Sequence, residues 1–245
     1  MPLRPPAHRT LQHQVLERVG SQIVAGRWAP GESLPTEGEL AELLGASRGV
    51  VREAMKALVA KGLVVIRPKV GTRVRAQTEW NLLDPDVLRW DLEHERDTLI
   101  GHLIEARSVL DPGMAGLAAR RATEADVIRL SEAVAAMAVA LDAGDMAAFN
   151  DHDVEFHLAL VMACHNPILS SLQQAVTLVL RSGFEATSQA PGSMRKSVGL
   201  HRSVLTAVRR SDPVAARRAA QRLIDASYAD LAATVTQQPG AADTA

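Results

Sequence analysis

Two capped helices in quick succession constrain this chain more than any other feature of it. In Leu34–Lys61, LPTEGELAELLGASRGVVREAMKALVAK, Thr36 can cap a helix whose first turn carries Glu37 and Glu39, where carboxylates favour the positive end of the helix dipole. Leu40, Leu43 and Leu44 recur at helical spacing, and the run stops at Gly45. Ser47 then caps a second helix, with Val50, Val51, Ala54, Met55 and Leu58 on one face and Arg48, Arg52 and Lys56 on the other. Two short helices joined by a glycine turn, the second basic in its first turns, form the helix-turn-helix pattern. Val64–Ile66 and Thr72–Arg75 are β-prone runs around Pro68-Lys69-Val70-Gly71, which reads as a hairpin wing with a cationic tip. Amphipathic helix pairs are common and a basic face is often only a solvated one. What favours DNA is the order of preceding helix, capped pair and basic wing within one small domain.

These residues, from GxxLPTEGELAELLGASRGVVREAMKALVAKGLV to RPKVGTRV, resemble the DNA-binding domain of the GntR superfamily of bacterial regulators, over Leu11 to Val74. The resemblance implies operator contacts by Thr36, Ser47, Arg48, Val50, Arg52 and Lys56 in the helix pair and by Lys69, Gly71 and Thr72 in the wing. One departure matters. The family usually has an arginine after the acidic residue matched by Glu37, and here Gly38 stands in that place, leaving Arg48 and Arg52 as the principal candidates for base and phosphate contacts.

At 245 residues the chain is long enough for two domains with separate cores. A net charge of −1 argues against a protein that coats nucleic acid indiscriminately, so the basic charge must be local. From Arg48 to Arg75 it is: Lys and Arg far outnumber the single acidic residue, Glu53. Aromatic residues make up only 3% of the chain and do not interleave with basic ones, which disfavours a platform for stacking single-stranded bases. The single cysteine, Cys164, excludes an internal disulfide framework and a Cys-based zinc site, and points to a reducing, cytoplasmic home. No apolar run approaches the roughly 20 residues that span a bilayer, and the N-terminus lacks the apolar core of a secretion signal, so no membrane partner is expected.

The expected fold class is mainly α, an N-terminal winged helix-turn-helix domain followed by a C-terminal bundle of roughly six to seven helices. Residues 1–9 read as a flexible arm, 10–76 as the DNA-binding domain, 77–96 as a linker with a short helix, 97–237 as an all-helical domain and 238–245 as a disordered tail. In the linker Leu82, Leu83, Val87, Leu88 and Trp90 supply an apolar surface, and Asp84 with Pro85 starts a small helix expected to pack between the two domains. Beyond it the candidate helices are Asp97–Ala122, Thr123–Ala143, Asp145–Cys164, Asn166–Ser188, Arg195–Arg210 and Asp212–Thr236, several opening on a capping residue.

Within the third of these, Asp153-Val154-Glu155-Phe156-His157 puts a carboxylate and an imidazole at i and i+4, one turn apart on one face. His201 lies on a later helix that can face them, giving two nitrogens and one oxygen, a set suited to zinc, with nickel or manganese as alternatives. Spacing alone favours an ordinary surface pair and an unrelated histidine. The weighting changes because AFNxxDxxxH, HNPxL and the LHRSVLTAV context of His201 resemble the ligand-binding domain of the FadR-like subfamily, whose metal-binding members converge one Asp and three His. Asp153, His157 and His201 match three of the four. No histidine lies in Asn166–Ser188, and His165 falls at the junction before it, so a three-ligand site with open positions is expected.

Glu105-Ala106-Arg107 matches the subfamily's ExR element, whose arginine binds a carboxylate effector in its carboxylate-sensing members, and the planar fork of a guanidinium suits that partner. Arg181 is a second candidate, against the equal chance of a solvated helix face. The WNxLDxDVLxW pattern of Trp80–Trp90 is similar to that of sugar-acid-responsive members and implies an effector such as an aldonate. The function expected is therefore a DNA-binding regulator, a repressor rather than an activator, that binds a palindromic operator as a homodimer and answers to a small carboxylate near a divalent metal. The alternative is a metal-dependent enzyme acting on sugar acids with a fused DNA-binding domain. Against it, Glu155 points away from the ligand face and no general base stands nearby.

Overall fold

A computed structural model describes residues 10–171 and 193–236 of the chain, which divides into two compact units at Arg96–Asp97. The first unit opens with α1 (Leu11–Val24), started by Thr10, whose hydroxyl accepts the N–H of His13. Helix α2 (Glu37–Leu44) begins with a reciprocal cap: the Thr36 hydroxyl accepts from the Glu39 N–H, and the Glu39 carboxylate accepts from the Thr36 N–H at 2.7 Å. It ends at Gly45, and α3 (Arg48–Ala60) starts on Ser47, which accepts from the Val50 N–H. Strands β1 (Val64–Arg67) and β2 (Gly71–Val74) pair antiparallel with Val64 opposite Val74 and Arg67 opposite Gly71. The wing is thus a hairpin turned by Pro68-Lys69-Val70, one residue off the strand limits expected from propensity. Gly71 has φ +93, a conformation that a Cβ disfavours, so glycine suits the end of this turn.

Two features of this unit differ from the sequence reading. The segment after α1 is more than a turn: the Leu34 N–H donates to the Thr72 carbonyl and the Val74 N–H to the Glu32 carbonyl, forming a single β-bridge, Ser33 opposite Arg73, alongside β2. Helix α4 (Pro85–His94), expected between domains, is folded onto α1 inside the first unit. Trp90 is fully buried there, its ring so close to Gly20 that a Cβ on that residue would stand 2.3 Å from it. Burying a side chain of that size removes on the order of 200 Å² from water, about 5 kcal/mol before chain entropy is counted. Its indole N–H donates to Glu17 at 3.2 Å, and Lys61 bridges Asp84 and Asp86 at 2.8 and 2.7 Å. Leu82 and Leu83, expected on the apolar surface with Trp90, are exposed; so is Leu43, because α2 turns Leu40, Ala41 and in part Leu44 to the core.

The second unit is helical throughout its described residues. Its elements are α5 (Arg96–Arg121), α6 (Glu124–Ala143), α7 (Met146–Ala163), the short α8 (Pro167–Ser170), α9 (Ser193–Arg209) and α10 (Pro213–Thr236). Thr123, Asp145, Asn166 and Asp212 cap as their residue types suggest. The core is built by Met114 and Ala118 of α5, Leu130 of α6, Phe156 and Leu160 of α7, Val204 and Val208 of α9 and Ala216 of α10. Of the expected helix Asn166–Ser188, only the first turn falls within the described residues.

Candidate functional site

Two groups of residues stand out, one on the surface of the first unit and one buried in the second. On α3 the side chains of Arg48, Arg52 and Lys56 are exposed, as are Lys69 and Gly71 on the hairpin, while Val50 and Thr72 are half-buried. Their counter-charges are weak. Arg52 lies 3.8 Å from Glu37 and Lys56 2.8 Å from Glu53, both pairs well solvated and worth little. The Thr36 and Ser47 oxygens are engaged in capping, so what they contribute first is the orientation of α2 and α3. Arg48 runs over the start of α2: a Cβ on Gly38 would sit 3.4 Å from its guanidinium.

In the second unit Asp153 and His157 project from one face of α7, and His201 meets them from α9. All three are buried, with ligand atoms within 4.8 Å of one another. His201 Nδ1 lies 2.9 Å from the Ser197 carbonyl oxygen, which can only accept, so the proton is on Nδ1 and Nε2 presents a lone pair. That bare nitrogen faces Asp153 Oδ1 at 3.1 Å and His157 Nε2 at 3.4 Å. Burial first, then the nearby charge of Arg107, hold the His157 imidazole well below its ordinary pKa and hence neutral. Asp153 Oδ2 is 3.6 Å from His157 Nε2 and has no hydrogen-bond partner although it is buried. Lone pairs thus converge on one small space, an arrangement that costs free energy unless a cation or a proton sits among them. The donor set, one carboxylate and two imidazoles, fits a divalent ion such as zinc. Phe156 walls the cluster, its ring edge-on to both imidazoles at 5.7 and 4.7 Å.

Arg107 reaches this cluster from α5. Its Nη2 lies 3.2 Å from His157 Nε2, and its Nε and Nη2 donate to Asp111 at 3.0 and 2.9 Å. Asp111, one turn after Arg107 on α5 and so placed to pair with it, joins the site through these bonds. Ser197 stands one turn before His201 on α9, a spacing at which a helical side chain can reach the carbonyl behind it. His165 is elsewhere: its Nε2 pairs with Asp126 at 2.7 Å at the start of α6. Glu155 is exposed and pairs with His152 at 2.8 Å, so it supplies no general base to the cluster. Arg181 lies outside the described residues.

Comparison with known proteins matches residues 11–74 to the bacterial regulatory proteins of the gntR family and residues 102–226 to the FCD domain. The galactonate operon transcriptional repressor of Escherichia coli is 35% identical over 216 residues, covering 87% of this chain and 93% of the relative. The regulator Mce2R of Mycobacterium tuberculosis is 30% identical over 97% of this chain and 98% of its own length. Among solved structures, a GntR protein of Streptococcus agalactiae aligns with a TM-score of 0.51 at 29% identity, over 88% of this chain and 97% of that one. Lar of Listeria monocytogenes aligns with a TM-score of 0.63 over 93% of this chain and 99% of its own, and at 18% identity the likeness speaks for the fold alone.

Proposed function

We propose a function from one premise: the chain belongs to the GntR family of bacterial regulatory proteins and carries an FCD domain. It is a transcriptional regulator, as its relatives are, and no helix among the described residues is long and apolar enough to cross a membrane. Beyond that, our reading is a cytoplasmic repressor that binds a palindromic operator as a homodimer and releases it when a small sugar acid, an aldonate foremost, enters the second unit. The observation that carries the effector half is the buried Asp153, His157 and His201 cluster with Arg107 against it. Those three residues would hold a divalent metal, which supplies a Lewis-acidic point for the carboxylate and α-hydroxyl oxygens of such a ligand. Arg107 would orient the effector carboxylate by exchanging part of its pairing with Asp111 for a bidentate contact. The relative named for galactonate supports this class of effector.

On the operator, Arg48 and Arg52 would carry the main contacts, each base-edge contact worth about 1–3 kcal/mol of discrimination, with Lys56, Lys69 and Thr72 on phosphates. The test has two arms. Gel-shift titration of Arg48→Ala and Arg52→Ala should show at least tenfold weaker specific binding with the melting of the second unit unchanged, and unaltered affinity in both would remove α3 from the major groove. A thermal-shift screen of the full chain against aldonates, aldarates and small hydroxy acids should raise the melting temperature with the true effector. Stabilisation by none of the acids would remove the carboxylate reading.

A further inference from the structure

Helices α9 and α10 carry a charge that the proposed effector site does not use. Between Ser193 and Ala229 there are eight Lys or Arg against two acidic residues, Asp212 and Asp225, in a chain whose net charge is −1. Some of these cations are occupied within the fold: Arg209 donates to the Ser131 hydroxyl, and Arg217 lies over Gly116 of α5. Three others, Arg202, Arg210 and Arg222, line one groove of about 380 Å³ with Ser203, Thr206 and Asp212 among its other walls.

None of those three guanidiniums is ion-paired with a carboxylate among the described residues, and all three side chains are exposed. The one acid in the groove offsets only one of them: Asp212 caps α10, its Oδ1 accepting the N–H groups of Val214 and Ala215 at 3.1 and 2.9 Å. The hydroxyls are spent as well: Ser203 donates to the Gly199 carbonyl and Thr206 to that of Arg202. Any ligand here is therefore recognised by the guanidiniums. Like charges lining one concavity repel, and an anion that bridges them removes the repulsion while gaining charge-assisted hydrogen bonds.

We propose that the groove of Arg202, Arg210 and Arg222 is a second ligand site, separate from the buried cluster, which binds a small metabolite bearing a phosphate group. Charge decides the class. A phosphate monoester carries roughly two negative charges at neutral pH, which offsets three guanidiniums set against the one Asp212 carboxylate, whereas a single carboxylate leaves the groove cationic. The volume suits a small molecule, and the planar forks suit phosphate oxygens.

The test uses the full chain and inorganic phosphate as probe, followed by calorimetry. The expected result is saturable binding that weakens with added salt, is at least tenfold weaker in Arg222→Gln and is absent in the triple variant R202Q/R210Q/R222Q. These exposed substitutions should leave the melting curve unchanged; if the triple variant melts early, the single one decides. Binding should persist in the Arg48→Ala/Arg52→Ala variant and in His157→Ala. No saturable heat, equal affinity in Arg222→Gln, or loss of binding in either of the other variants would overturn the assignment.

Discussion

Asp153 makes the sharpest demand of any single residue. Its Oδ2 is buried without a donor, beside two imidazole nitrogens whose lone pairs face it. If a divalent ion meets that demand, purified protein should hold about one equivalent. Asp153→Asn and His157→Ala should each lower the metal content at least tenfold by elemental analysis, and chelation should lower the wild-type melting temperature. Equal metal content in wild type and variants would take these residues out of the site. The pair Asp153 and His157 was legible because helical spacing alone puts i and i+4 together. The meeting of His201 with them was not legible from spacing, since it joins two helices far apart in the chain and rested on the family resemblance alone, whereas the bond of His201 to the Ser197 carbonyl is local to its own helix.

Most of the elements could be read because their ends are chemical. Thr36, Ser47, Asp84, Thr123, Asp145, Asn166 and Asp212 all accept from the backbone of the helices they precede, as their side chains predispose them to do. The β-bridge at Ser33 was invisible because it is made by backbone pairing, to which no side-chain alternation points. Asp126 shows how far a cap can reach. Burial alone would raise its pKa, but the hydroxyl and N–H of Thr123, with His165 beside it, hold the carboxyl well below the usual carboxylate range. A folded-state pKa below the unfolded value of about 3.9 adds stability that is present above that pH and lost as pH falls from there through the folded value. Asp126→Asn should therefore destabilise the second unit at neutral pH by about 1–3 kcal/mol and make its acid unfolding less steep, as followed by circular dichroism. An unchanged acid transition would mean that other carboxylates govern it. In the wing, Gly71→Val forces a Cβ into φ +93 and should weaken operator binding in a gel shift while leaving effector affinity without DNA unaltered. Full retention of operator binding would make the hairpin peripheral.

For the molecule as a whole, regulation requires that the two units share a free energy. If effector weakens operator binding by a given factor, operator must weaken effector binding by the same factor, whatever the path between them. Arg107 is where this can be separated from simple loss of structure. Arg107→Lys keeps the positive charge near His157 and Asp111 but removes the planar fork, so a lysine can hold the ion pair while losing the two-point grip on a carboxylate. The variant should bind operator like wild type in the absence of effector and bind the best aldonate at least tenfold more weakly by calorimetry. In a reporter cell it should stay repressed at effector levels that release the wild type. The same titrations repeated with operator present should show the wild-type coupling factor preserved, since the change lies in the grip on the ligand rather than in the equilibrium between the two states. Were aldonate affinity equal in the two proteins, Arg107 would be a structural partner of Asp111 only, and the carboxylate site would have to be sought elsewhere in the second unit.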